Sequence, residues 1–119
     1  MLGWLADIAV AVVALAHVGF FVLESFLVTK PIGRRVFGLT AERAAVIAPL
    51  MVNQGWYNLF LAAGLGWSLV HPTEGRALAT FFLGCVAVAG VVGGVTVQRS
   101  ILALQALPAL LALGLVWVP

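Results

Sequence analysis

A chain of 119 residues with 64% apolar and 8% charged side chains carries more apolar surface than a soluble domain of this size can bury. The net charge of +2 comes from a few cations set between apolar runs, which excludes a basic nucleic-acid-binding face. The expected class is an all-α integral membrane protein, one domain over residues 1–119.

The first apolar run covers about residues 2–29. It exceeds the apolar core of a signal peptide, no basic residue precedes it, and no small-x-small site follows. "KPIGRR" ends it, with Pro31 and Gly33 as breakers. Thr40 is placed to cap the next helix. Pro49 falls inside that helix, whose lipid-crossing part is expected at about residues 48–70. "HPTEGR" makes the next turn, where His71 is expected to be merely hydrated. The third span is expected at about 77–97 and the fourth at about 101–118, joined by "QRS". So short a link makes these two an antiparallel hairpin. Gly90 and Gly94 in "GVVGG" form a small-x-x-x-small pattern that lets membrane backbones approach.

These spans predict a four-transmembrane-helix bundle. Lys30, Arg34, Arg35 and Arg43 flank the first connection, Arg99 lies in the third, and only Arg76 lies in the second. The five-to-one bias places the first and third connections in the cytoplasm and both termini outside. Trp4, Trp67 and Trp117 fall at the expected outer boundary, where indole rings prefer to sit. A multi-pass protein of the cell membrane, with the lipid bilayer as its first partner, is the expected setting.

Polar side chains interrupt the apolar pattern. Asn53, Gln54, Tyr57 and Asn58 lie inside "LMVNQGWYNLFLAAGLGW". An unpaired amide in hydrocarbon costs several kcal/mol. Glu24 lies six residues before Lys30, about 9 Å along a helix. Asn53 and Gln54 are expected at a similar depth, with Gln105 about one turn into the fourth span and Arg99 at the end of the third. Glu24 and Gln105 are therefore the expected partners of Asn53 and Gln54. His17 shares a helix face with Glu24, seven residues away. Each residue also has a plainer role. Membrane amides often only join helices, His17 can simply pack in a bundle, and Glu24 can form a structural pair with Arg99. A carboxylate within the membrane is nevertheless a functional-site hypothesis by default. Cys85 is alone, so no intrachain disulfide forms. No metal-ligand spacing or nucleotide-binding loop is visible, so neither a metal nor a cofactor is expected.

The segments "LESFLVTKPIGRRVFGL", "NQGWYNLFLAAGL", "FFLGCVAVAGVVGG" with "TVQR", and "QALPALLAL" resemble a family of small bacterial membrane proteins, the domain of unknown function numbered 1304 (DUF1304). The resemblance covers essentially the whole chain. It implies four spans at about this length and no established activity. Its motif positions here are Glu24, Asn53, Gln54, Tyr57, Asn58, Arg99 and Gln105.

Three functions are open to such a chain. The first is binding or transport of a small amphiphilic or cationic molecule. Glu24 would exchange a proton, and Asn53, Gln54, Tyr57, Asn58, Gln105, Arg99 and His17 would line the site. Size and an early carboxylate are similar to the small multidrug resistance transporters, an analogy of fold alone. Four short helices enclose little volume, so a homo-oligomer is expected. The second is an intramembrane enzyme, with Glu24 as general acid or base on a lipophilic or lipid-like ligand. Isomerisation or epimerisation suits it, because no activated nucleophile is visible. The third is a structural or accessory subunit.

Overall fold

An apolar chain in lipid must pair its backbone N–H and C=O groups internally, which a helix does within each segment. The computed structural model describes residues 2–119, and the regular elements among them are all helical. Helix α1 (Trp4–Val22) runs on through a π turn at Leu23–Leu27. Then come α2 (Pro31–Phe37), α3 (Ala41–Val70), α4 (Gly75–Thr96), a second π turn (Leu102–Ala106) and α5 (Leu107–Val116).

Local chemistry explains the boundaries. Pro31 opens α2, where a missing N–H costs nothing. Gly38 closes it at φ 65°, and the Leu39 N–H donates to the Arg34 carbonyl at 2.8 Å. That left-handed closure is a glycine conformation. Thr40 caps α3 as expected, its Oγ1 accepting from the Arg43 N–H at 3.2 Å. Pro49 lies within α3, yet the helix continues through it. Pro108 cannot donate to the carbonyl four residues back. Just before it, the Leu107 N–H donates to Leu102, five residues back, and the wider turn accommodates the ring. His71 does more than face water. Its Nδ1 accepts from the backbone N–H groups of Thr73 (3.3 Å) and Glu74 (3.0 Å), which fixes the α3–α4 turn.

The all-helical class holds, with two or three candidate membrane spans by length and composition. The 24 residues of Trp4–Leu27 and the 22 of Gly75–Thr96 are long and apolar enough to cross a bilayer. The pair α2–α3, bent by 86°, makes a third if counted as one broken span. Leu102–Val116 is shorter, about 22 Å against a hydrocarbon layer of about 30 Å.

Each long helix buries one narrow stripe. On α1 it is Ala6, Val10, Val13 and His17, continuing to Glu24 and Val28. On α3 it is Ala44, Gly55, Asn58, Ala62 and Leu65, with Ala48 and Met51 half-buried between them. Contacts divide the chain into two compact units, Ala16–Phe60 and Leu61–Pro119 with the N-terminal residues to Leu15. In the second unit Val10, Val13, Leu65, Leu83, Val86 and Ala109 form part of an apolar core. There α4 packs against the last helix through its glycines. A Cβ on Gly90 would lie 2.6 Å from the backbone nitrogen of Ala106, and one on Gly94 would meet the Leu102 side chain. The small-residue pattern thus marks a helix contact, as its spacing predicts. In the first unit α2 packs against the π turn after α1, with Gly33 lying on the Leu27 carbonyl.

Candidate functional site

The unit Ala16–Phe60 contains a buried acid–amide pair. Glu24 is brought inward by the stripe of α1, at the second residue of the π turn. Asn58 is brought inward by the stripe of α3. The Asn58 Nδ2 donates to Glu24 Oε1 at 2.9 Å, and both residues are buried. Gly55, one turn before Asn58, permits the approach. A Cβ there would overlap Ser25 Oγ and come within 3.2 Å of Glu24 Cβ and the Phe21 carbonyl. An edge-on contact of Phe21 with Trp56, centroids 5.0 Å apart, closes the same junction with aromatic surface.

The pair leaves polar capacity unused. Glu24 Oε2 and Ser25 Oγ are both buried without a hydrogen-bond partner. Buried oxygens are paired in the large majority of proteins, so two unpaired ones on adjacent residues require a reason. Chemically, a carboxyl oxygen beside a hydroxyl can accept from an ammonium or hydroxyl donor and can gain or lose a proton. The π turn belongs in this account, since such turns recur at functional sites. Among the described residues no cluster of histidine, cysteine, aspartate and glutamate could hold a metal ion.

The remaining expected site residues are placed differently. Asn53, Gln54 and Tyr57 are exposed on α3, and the Tyr57 ring packs edge-on against Phe60 at 6.0 Å. The amide that reaches Glu24 is Asn58, not Asn53 or Gln54. The reason is both rotation and depth. Asn53 precedes Asn58 by five residues, about 7.5 Å along the axis. It therefore lies nearer the level of Lys30 than that of Glu24. His17 is buried, with its ring edge-on to Phe20 at 5.1 Å. Gln105 is half-buried in the second π turn and Arg99 is exposed at the α4–α5 link, both in the other unit.

Ser25 and Gly55 were not among the expected residues. A signal for the second existed. Positions 44, 48, 51, 55, 58, 62 and 65 of α3 follow an alternating four–three spacing and carry Ala, Ala, Met, Gly, Asn, Ala and Leu. That is a packing seam of small and apolar residues. Asn58 lies on it; Asn53, Gln54 and Tyr57 do not. For Ser25 only adjacency to Glu24 offered a hint.

The model of a family described as "Protein of unknown function (DUF1304)" matches residues 11–117, and the chain belongs to that family. No curated protein and no solved structure matches it.

Proposed function

We propose that this DUF1304 member binds or transports a small amphiphilic or cationic molecule through Glu24, exchanging a proton there as the ligand enters. The observation that carries the reading is the divided carboxyl group. One oxygen is held by Asn58, while the other is buried without a partner beside an unpaired Ser25 hydroxyl. Asn58 orients the group, and the second oxygen is left to meet an ammonium or hydroxyl donor. Buried ionisable groups in membrane spans commonly mark such pathways. A homo-oligomer belongs to this proposal, because a bundle of four short helices would enclose little volume.

The setting is a four-span bundle in the cell membrane with both termini outside. The cation bias and the exposed Trp4, Trp67 and Trp117 support it. The same frame accounts for the exposed amides. Asn53 and Gln54 then lie near the cytoplasmic headgroups, where water satisfies them, and Tyr57 reaches the same boundary with its hydroxyl. In a Cys85→Ala background, a membrane-impermeant maleimide added to intact cells should label Thr73→Cys and spare Thr40→Cys. The opposite pattern would reverse the topology.

Glu24→Gln is the functional test. It keeps the acceptor for Asn58 and removes the titrating group. Binding of a dansyl-labelled alkylamine to the protein in vesicles should depend on pH in the parent, and that dependence should vanish in the variant. An unchanged pH profile would sink the reading. A parent with no alkylamine binding would favour the alternative that the pair only joins helices, which the direct Asn58–Glu24 bond also suits.

A further inference from the structure

The unit formed by Leu61–Pro119 and the N-terminal residues has an open cleft of about 750 Å³ at the first turn of α4. Thr73, Glu74, Arg76, Thr80, Phe81 and Trp117 line it. Arg76 is held there by a closed set of contacts. Its guanidinium carbon lies 5.3 Å from the centre of the Trp117 ring. The Trp117 Nε1–H donates to Thr80 Oγ1 at 3.0 Å, and the Thr80 hydroxyl donates to the Arg76 carbonyl at 2.7 Å. The guanidinium thus lies over the face of the indole, and its N–H edge bonds to no described residue and stays open to an oxygen ligand. That edge is a planar fork matched to phosphate.

Glu74 supplies the opposite charge. Its backbone N–H is tied to His71, which fixes the residue at the cleft. Two residues of spacing do not bring side chains together at a helix start. Glu74 and Arg76 accordingly line one cleft without forming an ion pair with each other. A cation and an anion side by side, each unneutralised by the other, complement a zwitterion. Phe81, 65% exposed, continues the cleft as apolar surface along α4. Because α4 is long and apolar enough to cross a bilayer, its first turn belongs at a bilayer face.

We infer that this cleft is a headgroup site for an amine-bearing zwitterionic phospholipid, with Arg76 on the phosphate, Glu74 on the primary ammonium and the acyl chains leaving over Phe81. The inference rests on the membrane setting of α4 and is independent of any role of Glu24. The protein is reconstituted in nanodiscs of phosphatidylcholine with a minor share of phosphatidylethanolamine, and the lipids retained after detergent release are read by native mass spectrometry. The parent should retain phosphatidylethanolamine preferentially. Glu74→Gln should reduce that preference about two- to fivefold, the range of one exposed ion pair, because the quaternary ammonium of phosphatidylcholine cannot donate to it. Arg76→Ala should reduce retention of both lipids, and Arg76→Lys should restore it only in part. Glu74 is exposed and its carboxylate holds no other described residue, so Glu74→Gln keeps the test open even if the arginine variants fail to fold. Equal retention of the two lipids by the parent, or an unchanged preference in Glu74→Gln, would overturn the inference. So would displacement of the lipid by free phosphoethanolamine, which would identify a soluble ligand instead.

Discussion

Gly90→Leu is expected to destabilise the protein by about 3 kcal/mol, at the upper end of the cost of overpacking a filled contact. The first atom added already lies 2.6 Å from the Ala106 nitrogen and 2.9 Å from its Cα. Those are backbone atoms, so no side-chain rotation relieves the overlap. The clash falls on the π turn before Pro108, a segment whose hydrogen bonding is already displaced by one residue. Gly90→Ala should show the same effect at smaller size, and Gly84→Ala, where a Cβ meets nothing within 4 Å, should be nearly neutral. Thermal unfolding in detergent checks the series. A Gly90→Leu protein that melts with the parent would mean that the contact between α4 and the last helix yields freely.

Asn58→Leu is expected to cost a similar amount, about 3 kcal/mol, by stripping the buried Glu24 carboxyl of its hydrogen bond. Its other oxygen has no partner to begin with, so the whole group would be left unsatisfied. Glu24→Leu makes the reciprocal error and strands the Asn58 amide, at about 1–3 kcal/mol. Glu24→Gln, which can still accept from Asn58, should be much milder. The double variant Glu24→Leu with Asn58→Leu removes both polar partners and should be more stable than the sum of the single losses predicts. Strict additivity would show that the two side chains do not act as a pair. The comparison also separates folding from chemistry: Glu24→Gln should fold and lose its pH response, whereas the leucine variants should fold poorly.

Several features of this protein follow from composition and local rules alone. A chain this apolar carries more apolar surface than a soluble fold of its size can bury, and a helix satisfies the backbone of each segment internally. Thr40, Pro31 and Gly38 act within a few residues of themselves, so α2 and the start of α3 are legible without any tertiary contact. The glycine spacing in "GVVGG" marked a packing face, since few other uses exist for such a pattern in an apolar helix. That Glu24 would need a polar partner also followed, with an α3 amide or Arg99 as the candidates, because an unpaired carboxyl is costly in hydrocarbon.

Which amide it receives was decided only by the tertiary structure. Neighbouring residues on a helix differ by about 100° in direction, so Asn53, Gln54, Tyr57 and Asn58 cannot all face one partner. The choice depends on the phase of the entire helix. Ala44, Gly55, Ala62 and Leu65 set that phase by packing inward, and Asn58 turns in with them. The π turn at Leu23–Leu27 alters the phase of the other partner. It adds a residue to the turn that carries Glu24 and Ser25, and no proline marks it in the sequence. Gln105 and Arg99 were linked to Glu24 by depth alone, and they lie in the other compact unit. Depth is set by position along one helix, whereas contact needs two helices to agree in depth and rotation together, and only the packed chain determines both.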